Sequence, residues 1–521
     1  MTRVPLENLG QAGLNRDTPA FSVSHDSFTD GRNLRPFDGS LQGVWRFDPD
    51  TDFVWSATRA AGDPLSVAAN GIYAATQVTP TGSDFYNILA VVRNADDSDT
   101  VQPMVVNENN LSNRAIIDLP TSEPITYTDR YGMDLITFNE VVVLNAGTHR
   151  PLYFSQGIET GGDFNILPNW FPDTQAGDPV YARKMSHWNG RLVAMNFTGG
   201  NRGASTVAFS TPITSLDSLL AVEWQISTAN DASDDIAIDT PGPILDGGVL
   251  GNNFIVYKDD SVLIYNAVTA SPFIIPDVLF ADDGILSSRC FADIGNGQHF
   301  VIGNRGAYIH DGSVNKKNVS RGRVEESLLQ ELDFTRKDRA FVFHNATDKE
   351  VWCCFSAIGN TGDGCNRAYV YCYLLDAWYI RDLDPNIVSM TSTQIGGEIE
   401  VFGSSLASAS LQQLSKTEYV PNGFVRFSQQ DAGDAIFTKK ISEMYPKCER
   451  SVRLGLMGSD NLGTTITFTD SDLQRFDPAT SRKIDWRIPN DRYYDFEVVM
   501  DEGVNPEIAG LELEVELRGR R

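Results

Sequence analysis

Residues 348–380 read DKEVWCCFSAIGNTGDGCNRAYVYCYLLDAWYI. A turn at Asp348 leads into a short apolar run, a Gly- and Asn-rich second turn follows, and a second, aromatic run closes the stretch. β-Branched and aromatic runs of this length, bounded by turn residues, are the pattern of antiparallel strands joined by tight connections. Cys353 and Cys354 are adjacent within one such run, so their side chains point to opposite faces of a sheet. With Cys290, Cys365, Cys372 and Cys448 they show no C-x-x-C spacing and read as small packing residues.

Outward from this stretch the same pattern recurs. It begins near Asn139 (NEVVVLNAGTHRPLYF), Asn189 (NGRLVAMNFTGGNRGASTVAFS), Asn252 (NNFIVYKDDSVLIY), Gly297 (GQHFVIGNRGAYIHDG), Asp348 and Gly397 (GEIEVFGSSLASASLQQL). The intervals are 50, 63, 45, 51 and 49 residues, close to the roughly 40–50 residues of a four-stranded propeller blade. Gly71–Val92 supplies a further candidate blade. One small sheet cannot bury both its faces, but sheets packed radially around an axis can. The chain is therefore expected to be all-β, with a β-propeller over residues 61–420. Stacked β-sandwiches are the alternative reading, since the repeats share architecture and no WD or kelch letters.

The flanks lack the period. From Pro421 longer strands are expected, at Thr464–Thr469, Arg482–Ile488 and Tyr494–Met500, and the chain ends in LELEVELRG. There Leu511, Leu513, Val515 and Leu517 alternate with Glu512, Glu514, Glu516 and Arg518, as in a half-buried strand. Residues 421–521 read as an additional β-sandwich or platform, to which an N-terminal arm and hairpin (1–60) contributes. In that hairpin Asp38-Gly39 suits a type I′ turn between Asn33–Phe37 and Ser40–Phe47, and Pro36 marks an edge strand. One helical stripe stands out, Ser320–Leu332, with Val324, Leu328 and Leu332 on one face and Ser320 as expected N-cap.

Forty-two Lys and Arg against 69 Asp and Glu give a net charge of −27. Gripping DNA requires clustered cations, and here the basic pairs are short and scattered, so a basic duplex-binding face is not expected. No apolar run approaches the roughly 18 residues of a membrane-spanning helix, and no secretory leader is legible in MTRVPLENLGQAGLN. No nucleophile elbow, P-loop or H-E-x-x-H motif occurs. His25, His149, His187, His299, His310 and His344 are dispersed and read as turn or core residues. The acidic stretches Asp96–Asp99, Asp231–Asp239 and Asp282-Asp283 lack EF-hand spacing and read as solvated loops. No catalytic, cofactor-binding or metal-ligating residue is assigned, and a non-enzymatic protein is expected.

Several segments, in order, resemble the nozzle, or tail-stabilisation, proteins of short-tailed bacteriophages. They are GLNRDTP (Gly13–Pro19), FTDGRNLRPFDGS (Phe28–Ser40) with its D-x-x-N-x-R-x-x-D-G pattern, and HWNGRLVAMN (His187–Asn196). FIVYKDDSVLIY (Phe254–Tyr265), GNRGAYIHDG (Gly303–Gly312) and HNATDKEVWCCF (His344–Phe355) follow. The series ends with YVYCYLLDAWYIRDL (Tyr369–Leu383), which carries W-x-x-R-D, and LRGRR (Leu517–Arg521). The resemblance implies a propeller subunit of the virion, made in the host bacterial cytoplasm, six copies of which ring a conduit and gate at the distal end of the tail. Its implied partners are the other copies of a homo-hexamer, the tail adaptor, tail fibres or spikes, the host cell surface, and genomic double-stranded DNA in transit without specific binding. No cofactor is implied. A propeller-type glycan-binding or glycan-cleaving tail protein is the alternative, and it requires aromatics such as Trp188, Trp224 or Trp378 on one exposed face.

Overall fold

The computed structural model describes residues 2–520 apart from 55, 58–66, 69–75, 79–85, 94–100, 108–109, 117–118, 121–124, 126–131, 139–140, 155–163, 172–179, 200–201, 225–232, 237–239, 268–273, 396–397, 406–409, 432–436, 462–465, 487–490 and 502–504. Asp96–Asp99 therefore lies outside the described residues.

Among the described residues, short strands separated by turn residues fold into seven four-stranded antiparallel meanders, the blades of a β-propeller. Blade 1 runs from Thr76–Val78 through Tyr86–Arg93 and Val101–Asn107 to Asn110–Ile116. Blades 2 to 5 begin at Asp134, Tyr181, Ile244 and Phe291, and blade 6 comprises Phe341–Asn345, Glu350–Phe355, Cys365–Cys372 and Ala377–Ile387. The first strand of each blade lies innermost. Those of blades 7 and 1 pack together, so the ring is closed.

Closure brings one correction. Blade 7 takes Ser389–Ile395, Glu398–Ser404 and Ser410–Tyr419 from the end of the propeller and its fourth strand, Trp45–Val54, from the arm. The arm was expected to belong wholly with the platform. Instead the strand Trp45–Val54 pairs antiparallel with Ser410–Tyr419, Trp45 opposite Tyr419 with their rings stacked at 4.4 Å. An outer strand is needed to complete the last blade, and residues that arrive from the other end of the chain provide it.

Among the described residues of 2–43 and 424–520, Gly13–Leu14 and Ser27–Phe28 extend the sheet of blade 6 and the other strands form two further sheets. One orders Ile484–Asp485, Phe437–Cys448, Ile508–Arg520, Ser40–Gly43 and Leu34–Phe37, with Thr2–Glu7 also paired to the long final strand. The other orders Asp30–Arg32, Phe424–Gln430, Tyr493–Met500, Val452–Ser459 and Leu473–Phe476. Both sheets contribute to one apolar core that continues into blades 5 and 6. The hairpin turns at Asp38 (φ 42°) and Gly39 (φ 80°), as a type I′ turn requires, and the Pro36 strand is an edge.

Three strand or helix expectations change. Residues 466–469 are irregular and lead into a 3₁₀ turn at Asp470–Asp472, where the Asp472 carboxylate accepts from the Thr469 amide. Of the strand expected over Arg482–Ile488, the described residues 482–486 form one at Ile484–Asp485. The helix spans only Glu325–Glu331 with Val324 at its N-cap, because Ser320 is buried and its hydroxyl accepts from the Ala307 amide in blade 5. On the final strand Leu511, Leu513 and Val515 are buried as expected, but Leu517 is 57% exposed, beyond the reach of the opposing sheet.

Packing between blades is largely aromatic. Phe254 of blade 4 is fully buried against Trp188 and Phe209 of blade 3, at centroid distances of 6.0 and 6.5 Å. Phe254→Ala removes a large side chain from an interface that cannot collapse, and is expected to cost about 3–5 kcal/mol. Urea denaturation of the two proteins measures this, and a loss below about 1 kcal/mol would show that the blade interface repacks.

Candidate functional site at the platform joint

The arm reaches the propeller along blade 6, and its approach is dictated by a residue without a side chain. Gly13 (φ 82°) pairs in parallel with Trp378, and a Cβ there would stand 2.5 Å from the Trp378 carbonyl oxygen. Three and four residues on, the amides of Arg16 and Asp17 donate to the Arg323 carbonyl at 2.8 and 3.0 Å. Asp17 then caps the short helix from outside, accepting from the amides of Glu326 (2.9 Å) and Ser327 (3.2 Å).

Arg16 is the centre of a charged network between arm and propeller. It pairs with Asp30 and with Glu331 at 2.5 Å, and donates to the Tyr369 hydroxyl at 3.3 Å. Glu331 also receives Arg367 at 2.7 Å, and Arg367 reaches Asp382 at 3.1 Å. Asn33 clamps the same Asp382 from both sides. Its amide nitrogen donates to the carboxylate at 3.0 Å, while its oxygen accepts the Asp382 amide at 2.8 Å.

A second set lies deeper. Arg35 pairs with Glu350 at 3.0 Å and Asp348 at 3.6 Å, and Glu350 accepts from Trp352 Nε1 at 3.0 Å. Burial lifts the Glu350 carboxyl above its ordinary range, against the pull of Arg35. Arg381 is buried with its guanidinium 3.9 Å from the Trp352 ring and donates to the Trp45 carbonyl at 2.6 Å, tying blade 6 to the closing strand.

Residues from three of the sequence motifs thus meet at one place. Asp30, Asn33 and Arg35 from the hairpin motif, Gly13, Arg16 and Asp17 from the opening motif, and Trp378, Arg381 and Asp382 from W-x-x-R-D all belong to this joint. The motifs were legible in the sequence, but their mutual contacts were not, since Arg16 and Glu331 stand 315 residues apart.

The propeller axis is occupied. Lys184 of blade 3 pairs with Asp134 of blade 2 and lies 3.6 Å from Asp246 of blade 4. Burial opposes its charge, but the two carboxylates outweigh that and hold the ammonium pKa above the usual value. Asp246 accepts the Arg289 amide at 2.7 Å. The Arg289 side chain, on a left-handed backbone (φ 67°), lies against Gly132 before blade 2 and donates to the Val388 carbonyl before blade 7 at 3.3 Å. It therefore spans the axis from one side of the ring to the other.

Among the histidines, His299 and His310 are paired across two strands of blade 5, and both bond to the Tyr257 hydroxyl of blade 4 at 2.8 Å. His344 lies 3.2 Å from the Tyr373 hydroxyl. Among the described residues no group of three His, Cys, Asp or Glu side chains is placed to hold a metal ion. Asp283 and Asp282 are engaged by Lys316 at 3.0 and 3.4 Å. The centre of the Asp231–Asp239 stretch, read as a loop, is the outer strand Ser233–Ile236 of blade 3, and the residues on either side of it lie outside the described set. Trp188, Trp224, Trp352 and Trp378 are all buried.

The sequence matches no protein-family model and no curated protein. Solved structures with similar folds include YCF48 bound to a D1 peptide, at 11% identity and a TM-score of 0.37, covering 72% of this chain and 98% of that one. A fungal alcohol oxidase of the AA5 family in complex with copper gives 10% identity and a TM-score of 0.41, over 86% and 98% of the two chains. The extracellular domain of a hybrid two-component system from B. thetaiotaomicron gives 10% and 0.30, over 94% and 49%. These scores add nothing to the reading of the site. The β-propeller itself is evident from the seven sheets and their closure.

Two predictions test this description. Arg35→Ala leaves Glu350 buried without its cation and is expected to cost about 3–5 kcal/mol in denaturant melts, part of which Glu350→Gln in the same chain restores. Purely additive losses in the double variant would show that the two side chains are not coupled. The second concerns pH. Burial, with His299 beside it, lowers the His310 pKa to about 3, whereas the unfolded chain takes up that proton near 6.5. The stability His310 contributes is therefore present above about pH 6.5 and is lost as pH falls toward 3, at up to about 1.4 kcal/mol per unit. Melts of His310→Gln should show a shallower acid slope than the parent; equal slopes would mean that this histidine takes up its proton when folded.

Proposed function

We propose that this chain is a structural subunit of a short phage tail, the nozzle, of which six copies form a ring that conducts and gates the genome during ejection. The observation that supports the reading is that three of the nozzle-like motifs, the opening GLNRDTP, the hairpin D-x-x-N-x-R and W-x-x-R-D, supply residues to one joint between platform and propeller. A part that transmits load between a mounting platform and a rigid body needs such a cross-linked joint. On this reading the platform takes contacts along the tail, with the adaptor and with fibres or spikes, and the propeller forms the wall.

Charge supports the conduit. With −27 per subunit, carboxylates facing a bore repel a passing polyanion, over a reach of about 8 Å at physiological salt. The acidic outer strand of blade 3 lies at the propeller rim, where neighbouring subunits or a bore are met. The proposal assigns the chain no catalytic step and no cofactor. A glycan platform built on Trp188, Trp224 and Trp378 is not supported, because all three are in the core.

Negative-stain microscopy of the purified protein, alone and with the adjoining tail proteins of the same virus, tests the assignment. Six-fold rings with a central hole are expected in at least the mixed sample. Monomers in both, with no co-migration on size exclusion, would sink it.

A further inference from the structure

In each blade the first and third turns fall on one face of the propeller, and on that face a cleft of about 480 Å³ opens between blades 5 and 6. Its volume is within the roughly 300–1,000 Å³ usual for small-ligand sites. Ile294 and Ile309 line it with apolar surface. The turn Ile294–Gln298 contributes Asn296 and Gln298, the turn 311–315 contributes Asn315, and the end of the third strand of blade 6 contributes Tyr371 and Tyr373.

The polar groups of this cleft divide into two sets. One set is already engaged and fixes the walls. Tyr371 donates to Asp376 at 2.5 Å, the Tyr373 hydroxyl meets His344, and His310 is held by Tyr257. Lys316 is paired with Asp283, and Lys317 lies 3.6 Å from Asp376. The other set is free. The side-chain amides of Asn296, Gln298 and Asn315 make no hydrogen bond to any described residue.

Those two sets select a ligand chemistry. Lys316 and Lys317 face carboxylates, and the exposed Asp311 carboxylate also lines the cleft, so it is not built around an anion. Each free amide offers two donors and one two-lone-pair acceptor, a combination that pairs with hydroxyl groups, which both donate and accept. Apolar surface and tyrosine rings beside them suit a ring whose faces carry C–H bonds. We propose that this cleft binds one or two rings of an uncharged saccharide, with Asn296, Gln298 and Asn315 hydrogen-bonding its hydroxyls and Ile294, Ile309 and Tyr373 receiving its apolar face. The proposal does not depend on the tail assignment, and it uses none of the buried tryptophans.

The full-length protein is applied to an array of bacterial surface oligosaccharides, and each hit is repeated by isothermal titration calorimetry. Asn296→Gly keeps the left-handed turn conformation (φ 54°) while deleting the amide; it is combined with Gln298→Ala, and Asn315→Ala is made separately on the other wall. Binding is expected to weaken at least about tenfold in each variant, with unchanged thermal melting. If the paired variant melts lower, Asn315→Ala decides. Absence of any saccharide binding by the parent, or affinity unaltered in folded variants, overturns the proposal, as does selective retention of acidic glycans alone. A nozzle ring seen by microscopy without saccharide binding would leave the tail reading intact and refute only this site.

Discussion

The hydrogen-bonded pairing of Trp45–Val54 with Ser410–Tyr419 is the contact on which the rest of the architecture depends. Without it blade 7 lacks its outer strand and Ser410–Tyr419 is left as a bare edge. The pairing also fixes where the chain leaves the propeller. Trp45 enters and Tyr419 exits side by side, so the segments before and after them are delivered to the same place. The two platform sheets then interleave strands from both ends of the chain, with Leu34–Gly43 and Thr2–Glu7 beside Ile508–Arg520, and Asp30–Arg32 beside Phe424–Gln430. Closing a loop this long is entropically expensive only once, since the cost grows slowly with length. Everything assembled afterwards shares it.

The joint extends that logic from backbone to side chains. Arg16, Arg35, Arg367 and Arg381 each bring a planar, permanently charged group to acceptors supplied by a different segment, and their forked geometry allows one residue to hold two partners. Such pairs contribute little net stability when exposed, but half-buried or buried ones penalise any arrangement that separates them. The platform is thereby held in one orientation relative to blade 6. Rigid orientation, more than affinity for a ligand, is what this concentration of arginine secures.

Much of this was legible in the sequence, and the gaps have physical causes. Turn chemistry and apolar runs are local, so the strands of blades 2 to 7, the Asp38-Gly39 hairpin and the alternation of the last strand could be read directly. Strand pairing across hundreds of residues is not local, and nothing in RFDPDTDFV distinguishes a platform strand from the closing strand of a propeller. Ser320 looked like a helix cap because its residue type favours that role, yet the strand beside it competes for the same hydroxyl. TTITFT has strong β character but no partner strand among the described residues. At the joint, Asp30, Asn33, Arg35, Arg381 and Asp382 were visible as motif letters, whereas Glu331 and Arg367 carry no signal of their own. The free amides of Asn296, Gln298 and Asn315 were invisible for the opposite reason: in a turn, Asn and Gln look like ordinary turn residues, and only the fold shows which are left without partners.

The arginine that crosses the propeller axis has a bearing on permeability. With Arg289 spanning from blade 5 to the approaches of blades 2 and 7, and with Lys184 seated between two carboxylates close by, a solute meets a salt-bridged stopper in the middle of the subunit. Opening this centre would require breaking both ion pairs of Lys184 and the Arg289–Val388 hydrogen bond.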